Sequence, residues 1–444
     1  MTGAGPVARQ GKRLHPLTPL LRGGIFAAAV AFGVLQQVVV DHQLTWPALT
    51  LGGALLLGLV YGAVSWWFTR FYIDQEELRI DSGVLVRRSR RIRIERLQAV
   101  DVVQPLLARI FSLAELRLEV AGGAKTEAPL AFLPLDEARR LRGVLLAGSQ
   151  PKTEAGTEPD ATAQQQPAQP VETAIAAVGP AMLLAAVLST TRWVVALVSV
   201  LVGLAIIAVT GTWVALAAAV PSLLGVGTGI LQQFANEFAF TIKSTGQGLR
   251  ITRGLFDLTS QTVPVQRIQA VSIVQPVLWR PMGWVRVQVD IAGYGAGDSA
   301  KALLTTTLLP VGRRPVAEVV VARVLPGVDV RSIRLSPAPR RARWVRPIGW
   351  WTLGVGADDR AVVTSEGWLT RVWSVVPHAK MQSVRLHQGP WQRALGLATV
   401  NVDSPPGPVH ATALHRPISD ARGMLERQLV LARSARAITP REHR

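Results

Sequence analysis

Five arginines fall within seven residues, at Arg87, Arg88, Arg90, Arg91 and Arg93. A guanidinium carries a permanent charge and a planar fork of N–H donors, so this run suits the holding of phosphate or carboxylate rather than bond breaking. It lies shortly after an apolar stretch, and beside a bilayer each basic residue gains about 1 kcal/mol from an anionic leaflet. The competing reading is a solvated strand face in an arginine-rich chain, and the sequence leaves both open. Arg109, Arg280 and Arg393 recur at one position of a repeat. They are either anion ligands or structural arginines whose stems pack on a sheet. Recurrence in every copy favours the structural role, because a scaffold must be rebuilt in each module and a binding site need not be.

No catalytic constellation accompanies these arginines. The seven histidines (His15, His42, His378, His387, His410, His415 and His443) show no metal spacing with a glutamate. The chain has no cysteine, which removes disulfides, thiolate metal sites and cysteine nucleophiles. Gly225-Val226-Gly227-Thr228-Gly229 lies in an apolar run, where small residues serve helix packing. Gly293-Tyr294-Gly295-Ala296-Gly297 lacks the Lys-Ser/Thr ending of a phosphate loop and reads as a hairpin tip. Neither an enzyme nor a resident metal or cofactor is expected.

The elements that position these residues are repeated. Arg96-Leu97-Gln98-Ala99-Val100, then Gln104-Pro105 and Arg109, reappears 171 residues on as Arg267-Ile268-Gln269-Ala270-Val271, Gln275-Pro276 and Arg280. A third copy, 284 residues on from the first, reads Lys380-Met381-Gln382-Ser383-Val384, Gln388 and Arg393. Leu116, Leu118 and Val120 alternate with Arg117 and Glu119; Val285, Val287 and Val289 alternate with Arg286 and Gln288; Val400 and Val402 flank Asn401. That period of two marks a sheet with one buried face. Each copy closes in a helical segment, in the first over Leu135–Leu146 and in the third around Ser419–Leu431, which makes the module α+β. Gln98, Gln269 and Gln382 are expected to satisfy buried backbone groups at a bend.

The chain of 444 residues is 49% hydrophobic with mean hydropathy +0.28, which points to membrane spans. Gly24–Val40 and Leu44–Phe68 are free of charge, and a bilayer core needs roughly 20 apolar residues. Arg22 and Arg70 flank this pair while its connector has no Lys or Arg, so the positive-inside rule places the following module in the cytoplasm. The region after Ala174 holds either two or three spans. Two, near 193–210 and 213–234, keep all modules on one side, with 174–190 as an interfacial helix. The expected organisation is a basic N-terminal segment (1–22), a transmembrane hairpin (23–69), a first module (70–147), a disordered linker (148–173), an interfacial helix with a second transmembrane hairpin (174–236), a second module (237–326), a basic linker (327–345), a third module (346–432) and a basic tail (433–444).

The glycine-bearing turns Ser82-Gly83, Arg253-Gly254 and Glu366-Gly367, each followed by the repeated box, Gln-Pro and Arg, resemble the bacterial pleckstrin-homology-like domain of the YdbS/YdbT type of membrane protein. The third copy departs from the pattern, with Lys380 for arginine and Gly389 for proline. The resemblance implies a bent antiparallel sheet or partial barrel capped by a C-terminal helix, and little about function. The fold class expected is therefore membrane α+β: three PH-like domains with two transmembrane helical hairpins.

The formal charge is +19, from 48 basic and 29 acidic residues. In a membrane chain the nearer partner for that charge is anionic lipid. Nucleic acid is not expected, because no platform of exposed aromatics stands among the basic residues. The function expected is a multi-pass scaffold in the cell membrane, binding lipid, a protein partner or further copies of itself. The alternative is a transporter or channel subunit, for which the spans offer only Gln36, Gln37, Gln232, Gln233 and scattered Ser and Thr.

Overall fold

The computed structural model describes residues 12–13, 52–53, 56, 60, 63–64, 67, 70–73, 77–82, 88–93, 97–120, 127–148, 173–211, 216–246, 248–292, 306–405 and 407–438. The chain forms two compact units. One contains residues 1–168 with 256–261, the other residues 169–255 with 262–444.

In the first unit, β1 (Lys12–Arg13), β2 (Arg70–Ile73), β3 (Glu77–Ser82) and β4 (Arg88–Arg93) make an antiparallel sheet in chain order. A second meander follows: β5 (Leu97–Pro105), the short helix α1 (Leu106–Ile110), β6 (Leu113–Val120), β7 (Glu127–Pro134) and the closing helix α2 (Leu135–Gly148). In β6, Leu116 and Leu118 are buried while Glu115 and Arg117 are partly exposed, which is the alternation a one-sided sheet requires. On its other edge β5 takes residues 257–260 as an antiparallel partner, from Pro105 opposite Asp257 to Val102 opposite Ser260.

The second unit opens with β8 (Thr173–Ala177), followed by α3 (Pro180–Leu188), α4 (Thr191–Thr210) and α5 (Leu216–Glu237). The chain returns to pair β9 (Thr241–Thr245) with β8 and then continues through β10 (Gly248–Arg253) and β11 (Asp257–Val263), of which residues 257–261 belong to the first unit. Next come β12 (Ile268–Pro276), β13 (Trp284–Ile291), β14 (Thr307–Arg313) and α6 (Arg314–Val324). The third module repeats the series with β15 (Ser336–Pro337), β16 (Gly354–Ala357), β17 (Ala361–Glu366), β18 (Thr370–Pro377), β19 (Ser383–His387), α7 (Pro390–Ala394), β20 (Leu397–Asp403), β21 (Ala411–Pro417) and α8 (Ile418–Ile438). Within this unit β12 pairs with β18, so the second and third modules share one seven-stranded sheet, β14-β13-β12-β18-β17-β16-β15. Its core is built from Phe240, Ile242, Leu249, Ile251, Val271, Trp279, Val287 and Val363, among others. A separate core lies under α8 around Val400, Val402, Ala413, Ala421 and Met424.

Each module therefore runs four strands, three strands and a helix, and its first strand lies further upstream than the sequence predicts. In the second module the helices Thr191–Thr210 and Leu216–Glu237 fall between the paired strands β8 and β9, so they interrupt the module instead of preceding it. Residues 174–190, expected as an interfacial helix, are an edge strand and a nine-residue helix whose Leu183, Ala186 and Val187 are buried in the second module's core. Nine residues reach about 14 Å, under half a bilayer core. The expected basic linker 327–345 is also incorporated, since Ser336–Pro337 is a strand and Ala338 and Ala342 are buried. Helix α8 continues to Ile438, into the stretch expected as a tail. Of the expected linker, 149–172 lies outside the described residues, as does most of the first expected hairpin, which is helical at its described positions 52–53, 56, 60, 63–64 and 67.

Helices α4 and α5 pack together. The Trp193 indole donates to Gln233 Oε1 at 2.9 Å, and a Cβ on Gly229 would come within 2.3 Å of the same ring. Among the described residues one helix, Trp193–Thr210, is long and apolar enough to cross a membrane, with mean hydropathy 2.7 and none of the span buried. A second span in α5, and hence two transmembrane hairpins, rests on the sequence pattern.

Candidate functional site

The repeated motif folds into the corner between the fifth and sixth strands of each module. Gln104, Gln275 and Gln388 each send their side-chain amide across that corner to a carbonyl nine residues on: Leu113 O at 3.4 Å, Trp284 O at 3.2 Å and Leu397 O at 2.8 Å. The carbonyls of Arg109, Arg280 and Arg393 each accept from the residue three positions on, at 3.1 Å from Ser112, Gly283 and Gly396. Those three donor residues, Ser112, Gly283 and Gly396, have φ of 53°, 64° and 63°. Their own carbonyls then accept from the first residue of the closing helix, Leu135 N, Arg314 N and Ile418 N. The corner is thus a latch that needs one residue in the left-handed region, where glycine is least strained. Sequence reasoning missed this position, although glycine stands at the repeat offset in two of the three copies.

The first glutamine of the box contributes less than expected. Gln269 donates to Arg267 O at 3.1 Å, Gln382 is exposed, and the Gln98 side chain and all of Arg96 lie outside the described residues. Arg109 and Arg393 are exposed, and Arg267 is half-buried.

Arg87 also lies outside the described residues. Arg88, Arg90, Arg91 and Arg93 form β4, with Arg93 opposite Glu77 and Arg91 opposite Arg79. Strand alternation puts positions 88, 90 and 92 on one face and 89, 91 and 93 on the other. Ile92 is buried and Arg93 exposed, so the cluster is divided between two faces. The position of β4 also accounts for the cluster's occurrence in one copy only. Its counterparts β11 and β18 are paired on the far edge, with β5 and β12 respectively. Among the described residues β4 is the end of its sheet. Charge on an open edge opposes strand addition.

A second basic cluster was not legible in the sequence. Arg280, from the corner of the second module, donates through Nη2 to Trp368 O. Arg371 on β18 faces Gln275 in the β12–β18 ladder. Arg371 and Arg314, the first residue of α6, both stack on the Trp373 ring, at 5.7 and 5.3 Å from its centroid. Burial holds the Arg371 guanidinium below its ordinary pKa, and repulsion from Arg280 and Arg314 adds to that. Among the described residues the carboxylate that pairs with any of the three is Glu318, 3.3 Å from Arg314 Nε. The Nε atoms of Arg280 and Arg371 are buried without a hydrogen-bond partner.

Asp290 is the second unit's one strongly shifted carboxyl among the described residues. It lies on β13, 1% exposed, and straps the loop after β20 by accepting from Ser404 Oγ and Val409 N, both at 3.0 Å. Burial pushes its carboxyl up to about 6, while those hydrogen bonds and the charge of His410 pull the other way. A raised carboxyl favours folding most below its unfolded value near 4, and that contribution is lost as pH rises through 6. The full loss is about 3 kcal/mol. Asp290→Asn, which keeps an acceptor for Val409 N, is expected to gain stability over the native chain between pH 5 and 7.5. Melting curves of both proteins across that range test this, and a constant difference would refute it. Among the described residues no cluster of His, Asp and Glu is arranged to hold a metal ion.

The pattern of the bacterial PH domain family matches the chain three times, over residues 27–148, 174–328 and 311–429. The second match begins at β8, ahead of the hairpin, as the strand order requires. The UPF0699 transmembrane protein YdbT of Bacillus subtilis (strain 168) is 25% identical over 328 residues, covering 66% of this chain and 65% of that protein. The match thus spans a little under two thirds of that relative's length. With three matches that take in most of its residues, the chain belongs to the bacterial PH domain family.

Proposed function

We propose that this chain is a membrane-anchored scaffold that holds three PH-like domains on the cytoplasmic face and works by binding rather than catalysis. The observation that carries the reading is where the hairpins enter the fold. Strands β8 and β9 are hydrogen-bonded partners, with Ala177 opposite Thr241, and β1 and β2 are likewise paired, with Arg13 opposite Arg70. Everything between such strands leaves and re-enters the module at neighbouring points, so each insertion crosses the bilayer an even number of times. Even crossing, two apolar runs in each insertion, and arginine on the flanks together favour two transmembrane hairpins with every domain inside. The exposed basic residues, Arg93 of β4 among them, then lie beside an anionic leaflet, whose lipid is the nearest ligand. A protein partner or a second copy would be gathered at that surface.

Reporter fusions after Leu146, Leu325 and Arg444 test the arrangement, and all three are expected to report cytoplasm. An external signal from the fusion at 325 alone would require an odd number of crossings and would sink the proposal.

A further inference from the structure

We propose that Arg314 and Arg371, stacked on Trp373, and Arg280, which donates to Trp368 O on the adjoining turn, bind the phosphate of an anionic phospholipid headgroup at the junction of the second and third modules. The inference rests on the membrane-anchored reading and deepens it by naming a ligand class and a site.

Three observations carry it. The first is charge without complement. Three guanidiniums lie near one another, Glu318 pairs with Arg314 but with neither of the other two and is shared with Arg331, and the buried Nε donors of Arg280 and Arg371 have no partner. Buried donors are ordinarily satisfied, so an unpaired pair beside mutually repelling cations marks the place of an anion. Phosphate fits the fork geometry of arginine from more than one direction.

The second is depth. The corner that carries Arg280 is pinned by Trp279, whose indole donates to Ala186 O at 3.2 Å and to Ser189 Oγ at 3.1 Å. Ser189 is two residues before the start of α4, the apolar helix, so the site lies level with the end of the span. Glu237 at the other end of the hairpin pairs with Arg286 on β13, which places the same edge of the module at the bilayer. Headgroup phosphates lie at that level.

The third is the surround. Leu278, Met282, Trp368 and Leu369 are large apolar side chains, each more than two-fifths exposed, on the two turns that bracket the cluster. Apolar side chains around a cationic centre suit acyl chains beside a phosphate, whereas a site for a free anion has no use for them.

The test uses the full chain purified in neutral maltoside detergent, titrated calorimetrically with dihexanoyl phosphatidylglycerol, dihexanoyl phosphatidylcholine and inorganic phosphate. Phosphatidylglycerol is expected to bind saturably, with the other two at least about tenfold weaker. Arg371→Gln and Arg314→Gln are each expected to weaken phosphatidylglycerol binding about tenfold, on the scale of a charge-assisted contact. Arg371→Lys, which keeps the charge but loses the fork, should fall between and covers the case in which Arg371→Gln fails to fold. The pair Arg427→Gln with Arg433→Gln, on the exposed face of α8, removes twice the charge of either single variant elsewhere and should bind as the native chain does.

Native affinity in both Arg371→Gln and Arg314→Gln would overturn the site, as would an equal loss in the α8 pair. Inorganic phosphate binding as tightly as phosphatidylglycerol would overturn the lipid assignment. Failure of the anchored reading itself would appear separately, as an external signal from the fusions, whatever the titrations give.

Discussion

Glu237→Leu is expected to lower stability by about 3–5 kcal/mol, the usual penalty for leaving one member of a buried ion pair alone. Glu237 is 4% exposed at the last residue of α5, and its two oxygens take a fork from Arg286, Nη1 to Oε1 at 2.9 Å and Nη2 to Oε2 at 3.0 Å. An acidic group at a helix C-terminus works against the helix dipole, so this carboxylate depends on its arginine. The pair is also the rivet between the apolar hairpin and β13. Removing only the acid leaves a half-buried guanidinium whose remaining bond is Nε to Pro310 O at 3.1 Å. Glu237→Leu with Arg286→Met should recover most of the loss, because two well-packed apolar side chains replace both charges and only the Pro310 carbonyl is stranded. Melting of the purified full chain in detergent measures all three proteins. A single variant as stable as the native chain would show that the pair does not join hairpin to domain.

Trp279→Ala should be as damaging, at about 3–5 kcal/mol. Among the described residues Trp279 is the largest fully buried side chain, edge-on to Trp284 with centroids 6.4 Å apart, and its indole bonds tie it to α3. Trp279→Phe fills much of the volume but leaves Ala186 O and Ser189 Oγ without that donor, and should lose only about 1–2 kcal/mol. The gap between the two variants separates packing from hydrogen bonding. Equal losses in both would assign the whole effect to the indole N–H.

Much of this architecture was legible because a repeat compares a chain with itself. Constant offsets counted the modules, and the alternation at Leu116–Val120, Val285–Val289 and Val400–Val402 located a one-faced sheet in each. The upstream strands were not legible for a physical reason. Thr173–Ala177 and Ser336–Pro337 are short edge strands, with no alternation long enough to register, and their partners lie beyond a hairpin or a string of turns. The basic cluster at Trp373 is assembled from three places 34 to 91 residues apart, Arg280, Arg314 and Arg371, so local patterning is blind to it. In the sequence Arg280 stands out only as a repeated residue, and the neighbours that distinguish it from Arg109 and Arg393 come from the third module. The run Arg87–Arg93 is conspicuous in the sequence, yet its uniqueness fits the edge position that β4 holds among the described residues, a property of the sheet and not of the run.

The joint between modules has a consequence for how such a chain can change. Pro105 lies opposite Asp257 and Pro276 opposite Thr370; Gln104 faces Leu258 and Gln275 faces Arg371; Val103 faces Thr259 and Val274 faces Val372. Both joints keep one register while the incoming strand changes nearly every side chain. What holds them is main-chain hydrogen bonding, which is indifferent to residue identity. A duplicated module therefore inherits its attachment ready made, and the residues lining the seam are released to take on other work. Arg371 and Trp373 stand where the first joint has Leu258 and Ser260, so a new anion-binding surface could arise there without the array coming apart.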